Sequence, residues 1–140
     1  MDVTVRVKIP ENLEKKFGRK LRSNTRISLL ATAAKGVEII KERTEKHKEI
    51  SGQRFKPYSQ AYKEESGKTD PDLQVSGAML GSIQAKATNQ KGTIYFSSAE
   101  EAKKAIKNQA TRPFFGFSEK EEERLRKVFE RRIFRGIDER

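Results

Sequence analysis

Three phenylalanines, Phe114, Phe115 and Phe117, fall within four residues, immediately before a segment dominated by charged side chains. Only 34% of the chain is hydrophobic while 36% is charged, so any core must be small and use its aromatic rings well. Aromatic side chains contribute much of the buried area of small cores. Because side chains alternate along a strand, Phe115 and Phe117 would share one face. We therefore expect these rings to pack inward or against a neighbouring subunit.

Short periodic patterns predict the strands of a small antiparallel sheet. Residues 3–9 alternate apolar and polar side chains and predict an N-terminal strand that ends at Pro10. Residues 83–96 alternate on both sides of an Asn-Gln-Lys-Gly turn, which predicts a central hairpin. A short strand is predicted near residues 113–117. Strands and helices without a regular βαβ order indicate an α+β fold.

Helical periodicity predicts a short helix over residues 11–23 and a separate long helix from about Thr25 to His47. The last two turns of the long helix are highly charged and are expected to project into solvent. Small residues in its middle would let another element pack closely. The apolar stripe of the long helix, with the residues that widen it, is Ile27, Leu29, Leu30, Ala33, Ala34, Val37 and Ile40.

Ser59 is a predicted cap for one helical turn through Tyr62 and Glu65, and three further serines are predicted helix caps. Ser76 precedes a short helix, Ser98 precedes a helix that is acidic at its start and basic at its end, and Ser118 forms a capping box with Glu121. The C-terminal helix that follows has a stripe of mostly apolar residues. The expected stripe residues are Leu125, Val128, Phe129, Arg132 and Ile133.

The 140 residues predict one domain, 1–140, with a long irregular loop at about 49–75. A loop of this length in a compact domain is usually functional or mobile. The chain has no Cys, no apolar run long enough to span a membrane and no signal-peptide pattern in its first ten residues. We therefore expect a soluble protein that is made in the cytoplasm and is not secreted.

Motifs for nucleotide or metal chemistry are weak. The sequence Ser-Gly-Lys-Thr at 66–69 ends like a phosphate-binding loop, but Tyr62 stands where that loop needs its first glycine. Asp72 and Lys86 vaguely resemble a nuclease metal site, but Gln84 occupies the position of the middle acid. His47, the only histidine, lies among charged residues at a helix end. We expect no catalytic residues, no cofactor and no metal.

The net charge of +11 favours partners with phosphates or acidic surfaces. Aromatic residues also alternate with basic ones, as in Arg54-Phe55 and Arg112 with the phenylalanines that follow it. Stacked bases beside cationic side chains would bind a single-stranded nucleic acid. A basic nucleic-acid-binding protein is therefore the alternative to an assembly role, although burial of the rings is the simpler interpretation.

Three stretches, in this order, resemble the phage virion-morphogenesis or tail-completion protein family. They are Gly52 to Tyr62, Leu73 to Ile83 and Arg112 to Ser118, with Phe55 in place of a tryptophan and Met79 in place of a leucine. Family members often carry a His-Gln-x-Gly segment before the last motif, where this chain has Lys-Asn-Gln-Ala-Thr after an added helical stretch. The positions that carry the resemblance are Gly52, Phe55, Pro57, Tyr58, Ser59, Tyr62, Leu73, Ser76, Gly77, Met79, Ser82, Arg112, Pro113, Phe114, Phe115, Gly116 and Phe117.

The resemblance implies a non-enzymatic structural protein that acts late in tail or neck assembly, at the head-proximal end of the tail. It implies a ring of copies in contact with tail, neck or connector proteins, in the virion, with DNA passing through. In that setting the segment from Arg112 to Ser118 would fasten the C-terminal helix to the sheet, and the loop at 49–75 would be available to neighbours.

Overall fold

The computed structural model describes residues 2–5, 11–57, 60–66 and 77–138, with side chains of α1 described from Asn24 onward. It confirms an α+β fold in which a three-stranded antiparallel sheet packs against a long helix and a C-terminal helix. The elements in chain order are β1 (Asp2–Val5), α1 (Glu11–Glu45), α2 (Gln60–Ser66), α3 (Ala78–Gly81), β2 (Ile83–Ala87), β3 (Gly92–Phe96), α4 (Ala99–Thr111) and α5 (Glu119–Asp138).

The sheet has β3 at its centre, in the order β1-β3-β2. The predicted hairpin is confirmed, with Ile83 opposite Phe96 and the turn closed by the Thr88 amide, which donates to the Lys91 carbonyl at 2.9 Å. The predicted N-terminal strand is confirmed over β1, where Val3 lies opposite Ile94; the rest of that prediction, residues 6–10, falls outside the described part of the chain.

One continuous helix, α1, replaces the two helices that the sequence predicted over residues 11–47. The prediction of two separate helices was wrong, and Asn24 and Thr25, at the predicted boundary, are buried within the continuous helix. The hydroxyl of Thr32 donates to the Ser28 carbonyl at 2.7 Å, and that of Thr44 donates to the Ile40 carbonyl at 2.7 Å. Such bonds satisfy small polar side chains inside a core.

The buried face of α1 differs from the predicted stripe. Leu29, Ala33 and Ile40 are buried as expected, but Ile27 and Leu30 are 51% and 38% exposed. Threonine and serine side chains of α1 are buried on this face, although hydrophobicity predicted that the larger Ile27 and Leu30 would be buried. The face toward the sheet therefore cannot be identified by apolar periodicity alone, because the helix has apolar residues on two sides.

The middle of α1 lies very close to β3, as its small residues predict. A Cβ added at Gly92 would stand 2.9 Å from the Leu29 carbonyl oxygen and 3.2 Å from the Ala33 Cβ. A real Cβ does not approach a backbone oxygen that closely, so the contact requires glycine. The helix and the sheet thereby share a thin, tightly packed core that includes Ile94.

Helices α4 and α5 complete the described structure. The Ser98 hydroxyl accepts a hydrogen bond from the Glu101 amide at 3.4 Å, which confirms the predicted cap of α4. Helix α5 packs along α1 and buries Leu125, Phe129 and Ile133, three of the five residues of its predicted stripe. None of the helices in the described ranges is long and apolar enough to cross a membrane.

Two local predictions are wrong. Residues 113–117 form an irregular segment and not a strand, because side chains rather than a neighbouring strand bind its backbone groups. Helix α3 begins after Gly77, its N-cap residue, which has a φ of 72° and makes no side-chain capping bond. The predicted cap Ser76 falls outside the described residues.

Candidate functional site

The three family-like stretches meet in one place, called here the motif junction and defined as residues 48–57, 77–83 and 112–118. One buried cluster draws on all three segments. The Phe115 ring lies 4.8 Å from that of Phe96 and 6.1 Å from that of Phe114, measured between centroids. Cluster members from the junction are Phe55, Met79, Leu80, Ile83, Phe114 and Phe115, with Phe117 packed against them. The prediction that the rings pack inward is confirmed.

The first segment of the junction is a tight turn beyond the end of α1. Two backbone hydrogen bonds close the turn. The Phe55 amide donates to the His47 carbonyl at 2.9 Å, and the Glu49 amide donates to the Gln53 carbonyl at 2.8 Å. The turn places Phe55 in the core and leaves residues 51–54 exposed. This part of the predicted irregular loop is therefore a compact, hydrogen-bonded structure, and α2 follows it.

The third segment is fastened directly to the first. The Arg112 guanidinium donates from Nε to the Lys56 carbonyl at 2.7 Å and from Nη2 to the Pro57 carbonyl at 3.0 Å. The Ile50 amide donates to the Pro113 carbonyl at 2.9 Å. Two motifs more than fifty residues apart in sequence are thus joined through their backbones.

Gln109, on the last turns of α4, holds the phenylalanine segment from one side. Its side-chain oxygen accepts hydrogen bonds from the amides of Phe114 and Phe115 at 3.1 and 3.0 Å. Its side-chain nitrogen donates to the Phe115 carbonyl at 3.2 Å. One amide side chain therefore takes the place of a neighbouring strand, which is why the segment needs no sheet partner.

Arg43 holds the same segment from the other side. Its guanidinium donates from Nη2 to the carbonyls of Phe114 and Gly116 at 2.6 and 3.0 Å, and from Nη1 to Glu121 Oε1 at 2.5 Å. The arginine is only 8% exposed. The expectation that the last two turns of α1 project into solvent was therefore wrong, because one of their charges is the internal anchor of the junction.

The start of α5 is coupled to this anchor by the predicted capping box, which is confirmed. The Ser118 amide donates to Glu121 Oε1 at 3.0 Å, and the Glu121 amide donates to the Ser118 hydroxyl at 3.3 Å. The same carboxylate oxygen that caps the helix also accepts from Arg43. Glu121 thus links the end of α1, the phenylalanine segment and the first turn of α5.

Each of the three motifs contains a glycine, and these are the glycines with positive φ in the described residues. The φ angles are 89° at Gly52, 72° at Gly77 and 155° at Gly116. Such backbone conformations favour glycine because other residues are strained there. Comparisons of the chain with family models, curated proteins and solved structures found no match.

The remaining predicted positions are placed as follows. The Ser82 hydroxyl donates to the Met79 carbonyl at 2.9 Å and closes α3, and Tyr62 lies within α2. Tyr58, Ser59, Leu73 and Ser76 fall outside the described residues. Arg43 and Gln109 were not predicted. Nothing in its charged, helical surroundings distinguishes Arg43, whereas Gln109 lies in the Lys-Asn-Gln-Ala-Thr segment that stands where family members often carry His-Gln-x-Gly.

The hydrogen bonds at the junction join groups of the fold to one another. In the described ranges no group of three or more His, Cys, Asp or Glu side chains converges. Lys86 lies on β2, as the nuclease hypothesis required, but its ammonium stands 4.6 Å from the centre of the Tyr95 ring on the exposed side of the sheet. Asp72, the other residue of that hypothesis, lies outside the described part of the chain.

Ionised side chains form a separate group on the exposed face of α5. Arg126 donates from Nε to Glu123 Oε2 at 2.9 Å and from Nη1 to Glu130 Oε1 at 2.5 Å. The hydrogen bond from Arg126 lowers the pKa of Glu123. Because the three residues are solvated, they organise the helix surface and are not a reactive site.

Proposed function

We propose that this chain is a non-enzymatic structural protein of phage or prophage tail or neck assembly, which completes the head-proximal end of the tail for head–tail joining. The observation that supports the proposal most is the convergence of the three family-like stretches at the motif junction. Residues that carry the resemblance stabilise the junction. The Arg112 guanidinium donates to the Lys56 and Pro57 carbonyls, and each stretch has a glycine with positive φ. A resemblance by chance has no reason to select positions that meet in space.

The bonding at the junction also supports a structural role. Arg43, Gln109 and Arg112 donate to backbone carbonyls or to a capping carboxylate. Groups used in this way hold the fold and are not presented to a substrate. The exposed turn at 51–54, next to the motif junction, is then the surface that neighbouring virion proteins would contact.

The proposal includes the partners and location that the resemblance implies. The chain would act in the virion, as a ring of copies that contacts tail, neck or connector proteins, without a cofactor. The net charge of +11 suits acidic faces of adjoining rings or the DNA that passes through them.

In vitro complementation tests this role. Tails and filled heads would be prepared from the chain's own host after deletion of its gene, and the purified chain added back. We expect infectious particles to be restored by the wild type and reduced at least about tenfold by two substitutions that make the exposed turn acidic, Gln53→Glu with Arg54→Glu. A control with the same total change of charge, Lys103→Glu with Lys107→Gln on the exposed side of α4, should retain the wild-type yield. No restoration by the wild-type chain would refute the proposal.

A further inference from the structure

Four basic side chains form a row along the solvent side of α5. They recur at intervals of three, four and four residues, which places them on one face of the helix, and all four are exposed. The buried residues of α5 lie on the opposite face, toward α1. We call this row the basic stripe, and its residues are Arg124, Lys127, Arg131 and Arg135.

The basic stripe is not used by the fold. The carboxylates nearest to it along α5, Glu123 and Glu130, are both bound by Arg126, which lies outside the stripe. Within the ranges that the structure describes, no stripe residue forms an ion pair. Arg131 makes one long hydrogen bond, from its Nε to the Lys127 carbonyl at 3.4 Å. The four charges are therefore available to a partner.

Helix stability does not explain the stripe. Residues 119–123 contain four acidic residues and one basic residue, whereas residues 124–138 contain six basic and two acidic ones. The helix dipole favours acidic residues in the first turn and basic residues in the last turn, and its effect is confined to those turns. Arg124 and Lys127 lie in the middle of α5, so their charge has another use.

A second basic segment lies toward the same end of the molecule. Helix α5 begins beside Arg43, near the end of α1, and packs along α1, so it runs back toward the start of α1. Residues 11–26 of α1 contain six basic and two acidic residues. Together with residues 124–138 they carry +8 of the net charge of +11. The field that attracts anions is therefore strongest at the end where the stripe lies.

The shape of the stripe indicates the kind of partner. At a rise of about 1.5 Å per residue, the stripe is a straight row about 16 Å long. Duplex DNA is also straight over this length and carries one phosphate per about 1.7 Å of its axis, so four cations can each reach a phosphate. Three of the four are arginines, whose planar guanidinium can bind two phosphate oxygens at once. Protein surfaces intersperse charges of both signs and match a row of one sign less well.

We propose that the basic stripe binds the phosphate backbone of double-stranded DNA, independently of base sequence. Contacts to phosphate fix position and orientation on the duplex but do not read the bases. The stripe is a different surface from the exposed turn at 51–54, and the inference does not rest on the proposed role in tails. DNA binding in solution can fail while the chain still restores infectious particles, and the reverse also holds.

Fluorescence anisotropy with a labelled duplex of random sequence, measured across a range of salt concentrations, tests the stripe. For four phosphate contacts we expect the logarithm of the binding constant to fall with the logarithm of the salt concentration at a slope of about −3.6. Arg131→Gln with Arg135→Gln should weaken binding at least about tenfold in about 50 mM salt and reduce the size of the slope by about 2. Arg124→Gln with Lys127→Gln, the other half of the stripe, should do the same.

The matched control is Lys103→Gln with Lys107→Gln, which removes two exposed charges at the same four-residue spacing from α4. It should change the affinity by less than about twofold and keep the wild-type slope. Circular dichroism should show wild-type helix content for all three variants. An equal loss in the control would mean that net charge alone attracts DNA, and stripe variants that bind like the wild type would also overturn the proposal. Competition by poly-glutamate as strong as by unlabelled duplex would assign the stripe to acidic proteins instead.

Discussion

At the scale of single residues, Arg43 determines how the motif junction is held. It comes from the middle of the chain, yet its guanidinium binds two carbonyls of the phenylalanine segment and the capping carboxylate of α5. A planar guanidinium can serve several acceptors at once in a way that an ammonium cannot. Burial of this charge is tolerated because two of its three nitrogens find partners, while Nε has none within the described residues.

Replacement of Arg43 by methionine should destabilise the fold by about 2–4 kcal/mol, because it removes the donor of two carbonyls and one of the donors of the half-buried Glu121 carboxylate. Urea unfolding followed by circular dichroism measures this difference. Lys41→Met, two residues away on the same helix, should change the free energy of unfolding by less than about 0.5 kcal/mol. Equal effects of the two substitutions would mean that the arginine is not an anchor.

A second residue-scale prediction concerns pH. The hydrogen bond from Arg126 lowers the pKa of Glu123 in the folded protein. Its contribution to stability is therefore complete above the ordinary glutamate pKa and disappears as the pH falls through the lowered one. Carboxyl-carbon NMR titration should show the pKa of Glu123 returning toward its ordinary value in Arg126→Gln. Arg124→Gln should leave the lowered value in place; an equal rise there would implicate general charge instead of the bond.

At the scale of elements, locally encoded features could be predicted and distantly determined ones could not. The hairpin of β2 and β3 and the caps Ser98 and Ser118 depend on residues a few positions apart, so their patterns are visible in sequence. Residues 113–117 looked like a strand because their rings are apolar. Their backbone partners come from Gln109 and from Arg43, about seventy residues away, and no local pattern records that.

Helix α1 shows the same limit. Its existence was predictable, but its buried face was not, because small hydroxyl residues such as Thr32 bond within the helix and can replace apolar ones in the core. Hydrophobicity consequently pointed to Ile27 and Leu30, which the fold leaves exposed. The convergence of the three stretches was likewise beyond sequence reasoning, and so were Arg43 and Gln109, which hold the phenylalanine segment.

The close approach of α1 and β3 makes an element-scale prediction. Gly92→Ala places a Cβ 2.9 Å from the Leu29 carbonyl oxygen, which belongs to the helix backbone and cannot rotate away. We expect a loss of about 1–3 kcal/mol in thermal or urea unfolding. Gly81→Ala is the control, since a Cβ there has nothing within 4 Å, and it should be neutral or stabilising. A neutral Gly92→Ala would mean that the two elements are farther apart.

At the scale of the whole molecule, a small core coexists with a densely charged surface. Phe55, Phe114 and Phe115 are buried at the junction, so these rings are not available to stack on bases. Tyr58 and the side chain of Tyr62 lie outside the described part of the chain. The net charge of +11 also attracts nucleic acid, because it acts on phosphates, and it is screened by salt. This weakens the nucleic-acid alternative relative to assembly.

Fluorescence anisotropy with labelled DNA checks that conclusion. We expect weak binding that falls at least about tenfold between 50 and 200 mM salt, with no more than a twofold preference between single and double strands. A strong single-strand preference that survives at high salt would require exposed stacking rings and would favour the nucleic-acid alternative.

The most direct test of the assembly role is to locate the chain on tails. Tails from the gene-deleted host would be incubated with tagged, gold-labelled protein and imaged by negative-stain electron microscopy. We expect gold at one end of each tail, the end that joins the head, and we expect the gold to be lost with Gln53→Glu and Arg54→Glu. Gold absent from tails, or distributed along their length, would contradict it.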